Sequence, residues 1–534
     1  MTADRLPDSP LPSSRDRTAQ RTSWLWAGVI ALVLGGLYWY TLLPVPGYAG
    51  DTAKFEFLGV LLGTPHEPGY PIYILLNHLF VQMLPWGSVA YRANLLSALF
   101  TLAAAITLYR IMRWQGVEDA VAALVTVSFG LGYTIWSQAE IAEVYPLYAV
   151  YVSLFILAAY RWHETHSDID FDAACLVYAL SFGNHLMVIN LLPAFVYLVW
   201  AVDRRKFTHP PSIAKVAGFI LLGASQYIFV FLRTASPATR YVEMAPTDLA
   251  NFLSYVTGGQ FRHLLFHFSV EWMVIERLPV LLLFIGRELL LLGPLVVLGW
   301  LHRPRTAFDG FSALGVLATL VFAMGYAIHD IFVYLVVLYI FAALYAARGV
   351  QWLMNRSRRP RVLKATLLII PLVALGMNYD DCSLRQMTAG DERALEVLHD
   401  VGEHAIIICP NYEYAHILWY HVFIDGYGGR DIHVAYYHDH HWPVEEADRY
   451  VHERAPFPVA VTREMIPHGR TVYLYVRKYQ WDISRFLMFR KTDAAGIQAW
   501  RMDIVNPWKR ELQEHGLKMT AVNEDLYRIE TAGT

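Results

Sequence analysis

The stretch Trp24–Leu43, WLWAGVIALVLGGLYWYTLL, decides the class of fold. It is twenty residues long and carries no charged side chain. At about 1.5 Å per residue, a helix of this length crosses the roughly 30 Å hydrocarbon core of a bilayer. The run ends in Leu-Pro-Val-Pro at 43–46, which is not the small-residue site where a signal peptide is cleaved. We therefore expect a membrane protein whose first helix is retained.

The overall composition agrees with a membrane protein. Of the 534 residues, 56% are hydrophobic and only 17% are charged, whereas soluble domains carry about 25% charged residues. The formal net charge is −3, and no stretch forms the basic face that a nucleic-acid-binding protein needs. Composition thus favours an integral membrane protein and excludes a nucleic-acid partner.

Further apolar stretches follow the first one. They lie at 90–112, 120–136, 145–160, 171–186, 187–202, 213–232, 285–301, 311–328, 331–347 and 363–377. The sequence thus predicts a polytopic α-helical bundle of about eleven transmembrane helices, occupying residues 24–377. Because Arg287 interrupts the stretch 278–301, we expect a membrane-surface helix there, ahead of the true span.

Lysine and arginine residues concentrate in alternate loops of this bundle. They are Arg5, Arg15, Arg17 and Arg21, and then Arg110, Arg113, Arg161, Arg204, Arg205, Lys206, Arg303, Arg305, Arg356, Arg358, Arg359, Arg361 and Lys364. Short loops rich in these residues stay in the cytoplasm. The prediction is an inner- or plasma-membrane protein with a cytoplasmic, disordered lead at 1–23 and an extracytoplasmic C-terminal part.

From about Asn378 the composition becomes that of a soluble domain, which we place at 378–534. The predicted elements are a strand at Ala405–Cys409, a helix at 411–423, a strand at Ile432–Tyr436, and further strands at Thr471–Val476 and near 526–529. The β-α-β order indicates a small extracytoplasmic α/β domain. Cys382 and Cys409 fall in this domain; a disulfide in an oxidising compartment and two free buried thiols explain them equally well.

Polar residues gather in the loop after the first span, GYAGDTAKFEF at 47–57. Asp51 follows the span closely, so its carboxylate is expected at the membrane surface beside the bundle. There it can take a proton from a hydroxyl group held near a reacting carbon. An N-cap of the helix that begins before the apolar run at 55–61 explains the same residue, and spacing alone favours the cap.

The next motif, HEPGYP at 66–71, predicts a rigid turn, since its prolines fix φ and its glycine permits close packing. It opens an amphipathic stretch at 72–84. His66, Glu67 and Tyr70 are candidates to contact a ligand, although a structural elbow between two helices accounts for the motif as well.

These motifs, together with later ones, resemble the protein O-mannosyltransferase-like family, formerly known as a domain-of-unknown-function family. In chain order they are GDTAKF at 50–55, LGTPHEPGYPIY at 62–73, YRANLLSA at 91–98, Trp136 with AEVY at 142–145, GNHL at 183–186, and His329-Asp330 with Tyr334. The resemblance covers about residues 20–340, and the order and joint presence of the motifs make it specific.

The resemblance implies a GT-C fold and an inverting glycosyltransferase that uses a polyprenyl-phosphate sugar donor. In such enzymes an acid of the first outside loop is the base, and Asp51 stands at that position, which shifts its interpretation from cap to catalyst. Supporting roles are implied for Glu143, Tyr145, Asn184, His185 and Asp330. A helix-end carboxylate explains Glu143 as well, and an interhelical hydrogen-bonded pair explains Asn184 and His185.

The sequence departs from the family pattern at three places. Many members have D-S-G-E where this chain has Asp51-Thr-Ala-Lys54, so a cation replaces the second acid. Glu67 stands where the family often has a proline. The family's W-G-x-P segment is replaced by Arg240-Tyr-Val-Glu243-Met-Ala-Pro246, which leaves substrate contacts in that loop open.

A lipid phosphate that leaves from the donor needs positive charge to stabilise it. Arg240, Arg233 and Lys54 are candidates on the outer side, and an interfacial anchor explains Arg233 equally well. The implied partners are the donor, a protein, glycan or lipid acceptor, and membrane lipid. The run His438–His441 does not match zinc-ligand spacing and favours a solvated loop; a divalent cation stays open, because GT-C enzymes differ in using one.

A transporter or flippase for a lipid-linked sugar is the alternative function. Transporters are often built from inverted repeats, and we find no repeat in this sequence. A non-catalytic scaffold would not require acids and histidines in separate outside turns. Whether Asp51 and Glu143 lie close together distinguishes the enzyme from the scaffold, since a scaffold predicts scattered positions.

Overall fold

The first apolar stretch forms one continuous helix, α1 (Ser14–Thr41), in the computed structural model of the chain. The structure describes residues 14–48, 50–246, 248–266, 268–302, 304–328, 330–436, 469–476 and 505–531. Helix α1 begins ahead of Trp24, where we expected the span to start. A helix satisfies its hydrogen bonds locally, so polar residues can continue it beyond the apolar run.

Helices make up most of the described chain. They are α1, α2 (Thr52–Leu61), α3 (Pro71–Met83), α4 (Val89–Trp114), α5 (Asp119–Gly130), α6 (Tyr133–Ala139), α7 (Val144–Thr165), α8 (Asp168–Ser181), α9 (Leu192–Asp203), α10 (Pro210–Ser225), α11 (Ile228–Thr234), α12 (Leu249–Val256), α13 (Val270–Trp272), α14 (Leu278–Leu289), α15 (Gly293–Leu301), α16 (Ala307–Gly325), α17 (Val336–Arg356), α18 (Pro360–Leu367), α19 (Ile369–Cys382), α20 (Ala389–Asp400) and α21 (Tyr412–Phe423). Short 3-10 helices lie at Leu186–Leu191, Arg204–Phe207, Gly259–Leu264, Ile331–Leu335 and Tyr427–Arg430, and a π-helix at Met273–Arg277.

The polytopic helical fold is confirmed, with fewer spans than predicted. Within the described residues, 8 helices are long and apolar enough to cross a membrane, or up to 10 if each of two bent helix pairs is one span. The predicted span at 171–186 corresponds to α8, which has 14 residues, or about 21 Å, and is shorter than the roughly 30 Å hydrocarbon core. It still runs from one end of the bundle, where Asp168 pairs with Lys206, to the other, where His185 lies beside Tyr145. The turn that begins after Ser181 ends it early.

The stretch around Arg287 is broken, as its charge indicated. Val270–Leu289 and Gly293–Leu301 meet at an angle of 84°. The Arg287 guanidinium lies over the ring of Tyr133, 3.9 Å from its centroid, and donates to Asn378 Oδ1 at 3.0 Å. The charge is therefore accommodated by polar and aromatic partners at the bend.

Helix α17 forms the centre of the bundle and is buried along its whole apolar window. Helix α15 packs against it at Gly299 and Gly349. A Cβ atom on Gly299 would overlap the carbonyl oxygen of Tyr345, and one on Gly349 would overlap that of Leu295. Small residues thus let the two backbones touch, as is common between membrane helices.

The α/β character of the C-terminal part is confirmed. Its strands are β1 (Ala405–Cys409), β2 (His433–Tyr436), β3 (Thr471–Tyr475), β4 (Leu517–Ala521) and β5 (Leu526–Thr531), in the sheet order β2-β1-β3-β5-β4. Strand β1 is parallel to β2 and β3, while β5 is antiparallel to β3 and β4. The sequence missed β4, an edge strand on which only Leu517 and Met519 are buried.

Two cysteines near this region carry no disulfide. Cys382 at the end of α19 and Cys409 at the end of β1 are both buried and free. The disulfide considered from the sequence is therefore not formed, and the thiols belong to separate packed elements.

The C-terminal layer, which consists of α20, α21 and the sheet of β1 to β5, packs directly on the start of the membrane bundle. Phe57 of α2 contacts Phe423 of α21, with ring centroids 5.6 Å apart. The backbone N–H of Ala90, in α4, donates to the hydroxyl of Tyr420 at 3.1 Å. This packing brings the first turn of α21 over the loop that carries Asp51.

Candidate active site

Asp51 occupies the N-cap position of α2 without acting as a side-chain cap. Its backbone carbonyl accepts the N–H of Phe55 at 2.9 Å, but its carboxylate makes no capping hydrogen bond. The carboxylate instead points toward Lys54 and the C-terminal layer. Both interpretations of the sequence are therefore partly met, because the position is a cap while the charged group is directed elsewhere.

Lys54, one turn into α2, lies at the centre of the charged cluster. Its ammonium is 2.8 Å from Asp51 Oδ1 and 3.1 Å from Glu243 Oε2, and its side chain has no exposed surface. The cation that replaces the family's second acid is thus paired with a carboxylate from a distant loop. The Lys54 ammonium thus supplies the positive charge that balances both carboxylates.

The HEPGYP turn completes one wall of the cluster. His66 Nδ1 lies 2.6 Å from the Lys54 ammonium, and Nε2 lies 3.1 Å from the Tyr70 hydroxyl and 3.5 Å from Asp51 Oδ2. The backbone N–H of His66 donates to Glu243 at 2.9 Å. Gly69 has φ +89, and a Cβ there would lie 2.8 Å from the ring of Tyr255, so the turn requires glycine.

The loop at 240–246 is held against this turn by backbone pairing. Thr64 N–H donates to the Tyr241 carbonyl at 3.1 Å, and Glu243 N–H donates to the Thr64 carbonyl at 2.9 Å. This pairing delivers the Glu243 carboxylate to Lys54. The segment in which the sequence departs from the family pattern that it resembles therefore lies within the candidate site.

Tyr412, the first residue of α21, reaches the cluster from the C-terminal layer. Its hydroxyl donates to Asp51 Oδ1 at 2.6 Å, contacts the Lys54 ammonium, and lies 3.4 Å from Glu243 Oε1. The Lys54 ammonium also lies 5.1 Å from the centroid of the Tyr412 ring, within cation–π range. Residues of the bundle and of the α/β part thus share one charged cluster.

The charges of the cluster keep its carboxylates ionised. Burial opposes ionisation of Asp51, but the nearby Lys54 charge outweighs it and holds the pKa of Asp51 below its usual value. Burial also opposes the ionisation of Glu243, but the nearby Lys54 charge outweighs it and lowers the pKa of Glu243. Burial likewise opposes the charge of Lys54, yet the two carboxylates raise the pKa of its ammonium.

Glu143 lies behind Asp51, at the N-cap of α7. Its Oε1 accepts the backbone N–H of Asp51 at 3.2 Å, so the loops at 51 and 143 converge, contrary to what a scaffold predicts. Burial and the neighbouring charge of Asp51 raise the pKa of Glu143 well above its usual value. Its carboxyl group thus holds the backbone of Asp51 through this hydrogen bond.

Aromatic rings continue from this point to Asp330. Tyr145 donates to Asp330 Oδ2 at 2.8 Å, and the His185 ring lies 5.6 Å from Tyr145 and 5.8 Å from Tyr70. Asn184 donates to the Val144 carbonyl at 3.1 Å, which is the interhelical bond considered from the sequence. His329 lies outside the described residues.

The remaining candidates lie around this cluster. Glu67 accepts the backbone N–H of Gln260 at 2.7 Å. Arg233 donates to the carbonyls of Leu61 and Leu62 at the end of α2, at 3.1 and 2.6 Å. Arg240 is exposed and lies over the Phe423 ring, 5.3 Å from its centroid. Of the three cations proposed for a phosphate, Arg240 alone is exposed, whereas Lys54 is enclosed.

Metal-binding geometry is not found in the part of the chain that the structure describes. No group of three or more histidine, cysteine, aspartate or glutamate side chains there is arranged to hold a metal ion. The His438–His441 run falls outside the described residues.

Sequence reasoning missed three residues of this cluster: Glu243, Tyr412 and His416. His416 lies one turn after Tyr412, with ring centroids 4.1 Å apart, and is 1% exposed. Within the described residues both of its ring nitrogens lack hydrogen-bond partners. A signal existed for Glu243, since it is an acid in a loop already assigned to the outer side; Tyr412 and His416 gave none, because they occupy ordinary helix positions.

Comparison with known proteins shows that the part of the chain from Asp51 onward resembles a known family. Residues 51–208 match the family model of the protein O-mannosyl-transferase TMEM260 N-terminal domain. The chain is 26% identical over 217 residues to protein O-mannosyl-transferase TMEM260 of Mus musculus, which covers 40% of this chain and 30% of that protein. It is 19% identical over 304 residues to protein O-mannosyl-transferase tmem260 of Dictyostelium discoideum, covering 51% and 36%. The chain thus spans about a third of the length of these curated relatives.

Solved structures support the fold along nearly the whole chain. ArnT from Cupriavidus metallidurans bound to undecaprenyl phosphate superposes with a TM-score of 0.57 at 12% identity, covering 96% of this chain and 99% of that one. The apo state of ArnT gives a TM-score of 0.58 with the same coverage. The predicted resemblance to the O-mannosyltransferase-like GT-C family is confirmed, and the fold is that of a GT-C membrane bundle with a C-terminal α/β part.

Proposed function

We propose that this chain is an inverting glycosyltransferase that moves a sugar from a polyprenyl-phosphate donor to an acceptor hydroxyl at the outer face of the membrane. The reaction is of the protein O-mannosylation type. The names of the curated relatives support the transfer of mannose to protein. The likeness to ArnT in complex with undecaprenyl phosphate supports a lipid-phosphate donor.

The observation that carries the proposal is the state of Asp51. Its carboxylate is ionised by Lys54, yet 20% of its side chain remains exposed while Lys54 is fully enclosed. The carboxylate is thus paired on its inner side with an enclosed cation and keeps part of its surface open to a ligand. Asp51 therefore combines the charge of a base with access to an incoming hydroxyl group.

The reaction follows from this placement. Asp51 removes the proton of the acceptor hydroxyl as that oxygen attacks the sugar C1 from the face opposite the phosphate. The bond between C1 and the phosphate oxygen breaks, its electron pair stays on the lipid phosphate, and the configuration at C1 inverts. The proton ends on the Asp51 carboxyl group, so the atoms and charges balance.

Positive charge is needed where the lipid phosphate leaves. Among the three candidate cations, Arg240 is exposed and lies in the same loop as Glu243. An arginine fork can hold two phosphate oxygens at once. Arg240 is therefore the residue we assign to the phosphate.

The charge of the loops indicates the side of the membrane on which the site lies. Lysine and arginine residues occupy alternate loops, and such loops stay in the cytoplasm. The candidate site lies at the other set of loops, which are poor in lysine and arginine. We therefore place the N-terminus in the cytoplasm and both the site and the C-terminal α/β part outside it.

The test is transfer of radiolabelled mannose from polyprenyl-phosphate mannose to endogenous acceptors in membranes that contain the full chain. Wild type should transfer label, and Asp51→Asn, which keeps size but removes the base, should lose it by a factor on the order of 10² to 10⁴. Asp172→Asn is the control, because Asp172 also pairs with a lysine, Lys215, at 2.6 Å and is exposed to a similar extent, but lies near the start of α8, outside the cluster. It should match wild type.

Two results would contradict the proposal. Equal transfer by wild type and Asp51→Asn would return Asp51 to a purely structural position. Movement of intact lipid-linked sugar across the bilayer without transfer to any acceptor would identify a flippase.

A further inference from the structure

We infer that Tyr412 of the C-terminal layer is a positioning residue for Asp51, which it holds by Oδ1 so that Oδ2 takes the acceptor's proton. The inference rests on the proposed function and deepens it, since it assigns the reacting atom. It also makes the C-terminal α/β part a component of the site itself.

The two oxygens of Asp51 have different surroundings. Oδ1 accepts from the Tyr412 hydroxyl at 2.6 Å and from the Lys54 ammonium at 2.8 Å. Oδ2 has, among the described residues, His66 Nε2 at 3.5 Å, beyond the range of a good hydrogen bond. Each donated hydrogen bond stabilises negative charge on the oxygen that accepts it. Oδ2 is therefore the oxygen open to a new partner.

The state of His66 agrees with this assignment. The Lys54 ammonium can only donate, and it lies 2.6 Å from His66 Nδ1. This contact assigns Nδ1 as the acceptor and the ring hydrogen to Nε2, which faces the Tyr70 hydroxyl at 3.1 Å. The Nε2–H group of His66 is thus directed at Tyr70, and Asp51 Oδ2 stays available to an acceptor hydroxyl group.

Tyr412 is fixed in place by the fold of its own helix. Asn411 caps α21, its Oδ1 accepting the N–H of Tyr414 at 3.0 Å. Further along α21, Trp419 packs on Tyr241 with ring centroids 5.5 Å apart, and Phe423 packs on Phe57. The phenol is thus anchored to the loop that carries Glu243 and to the helix that follows Asp51.

A merely structural Tyr412 would affect stability and leave the ionisation of Asp51 unchanged. A positioning Tyr412 affects that ionisation, because a hydrogen bond donated to a carboxylate favours its charged form. The pH dependence of the rate therefore separates the two roles.

The test compares Tyr412→Phe with Tyr420→Phe in the full chain, using radiolabelled polyprenyl-phosphate mannose and endogenous membrane acceptors. Tyr420 is on the same helix, and its hydroxyl binds Ala90 rather than Asp51, so the control weakens docking of α21 without altering the carboxylate. Tyr412→Phe should move the acidic limb of the kcat profile upward by about one to two pH units, with the donor KM little changed. Tyr420→Phe should leave the limb in place.

Overlapping profiles for Tyr412→Phe and wild type would overturn the inference, and so would an equal shift in both variants. Infrared titration of the purified chain, with Asp51→Asn used to assign the carboxyl band, measures the same ionisation without any activity. If wild type transfers no label, the proposed function fails, and the infrared shift still decides whether Tyr412 controls Asp51.

Discussion

The side chain of Glu143 accepts the backbone N–H of Asp51 at 3.2 Å. This bond joins the loop after the first span to the start of α7, 92 residues further along the chain. It fixes the backbone of Asp51 while Lys54 and Tyr412 fix the side chain.

The first prediction concerns this acceptor. Because the pKa of Glu143 is raised by burial and by Asp51, a neutral amide should replace it well. Glu143→Gln should keep activity within a few-fold of wild type, whereas Glu143→Ala should lose it by about tenfold or more, since the Asp51 N–H then lacks a partner. The comparison of kcat for the two variants measures this. Equal loss in both would mean that the charge of Glu143 is required.

The second prediction concerns Lys54. Lys54→Met leaves Asp51 and Glu243 as buried like charges, which should raise the pKa of Asp51 and move the acidic limb of the rate profile to higher pH. Breaking a buried pair on one side should also cost about 3–5 kcal/mol of stability. Lys215→Met, which removes the exposed partner of Asp172, should have little effect on either measurement. A rate profile that does not move in Lys54→Met would contradict the network.

The third prediction concerns His416 and pH. Burial lowers the pKa of His416 from 6.5 to about 3, so the unfolded chain binds the proton that the folded chain rejects. His416 therefore has no effect on the pH dependence of stability above about pH 6.5, but the protein loses stability as the pH falls from there toward 3, because only the unfolded chain gains the proton. His416→Phe should flatten the thermal stability over that interval. It should also stabilise the protein by about 1 kcal/mol at neutral pH, because two unpaired ring nitrogens are removed.

The measurement for His416 is the thermal midpoint in detergent between pH 7 and pH 4. An unchanged pH slope in His416→Phe would show that another group is responsible. A stabilised but inactive variant would assign His416 a role in the reaction.

The fourth prediction separates two arginines. Under the proposed function, Arg240→Ala should raise the KM for the polyprenyl-phosphate donor about tenfold or more, because it removes the exposed guanidinium that we assign to the phosphate. Arg233→Met should instead lower thermal stability by about 1–3 kcal/mol, since the Leu61 and Leu62 carbonyls lose their donor. Donor KM and thermal midpoint are measured for both. A donor KM that does not change in Arg240→Ala would remove Arg240 from the phosphate site.

The parts of this molecule that local patterns control were predictable. The apolar run at Trp24–Leu43 formed a helix, and Ala405–Cys409 formed the strand expected of it. The failures came where length or competition decides. The span at 171–186 ended early at Ser181. At position 51 both interpretations were partly met, since the aspartate is at the cap position while its carboxylate pairs with Lys54.

The rest of the site could not be predicted, because it depends on long-range packing. Asp51 and Tyr412 are 361 residues apart in the chain, and His66 and Glu243 are 177 apart. No spacing rule connects such positions. They meet only because α21 packs on α2 and because Thr64 pairs with the loop before Glu243.

The place of Tyr412 in the chain has a consequence for biosynthesis. Among the described residues the last candidate membrane span ends at Cys382, so these spans are synthesised before the phenol that contacts Asp51. A nascent chain whose transmembrane helices are already inserted still lacks Tyr412, which forms one side of the candidate site. Under the proposed function, activity begins only after α21 has folded and docked on the bundle that was made before it.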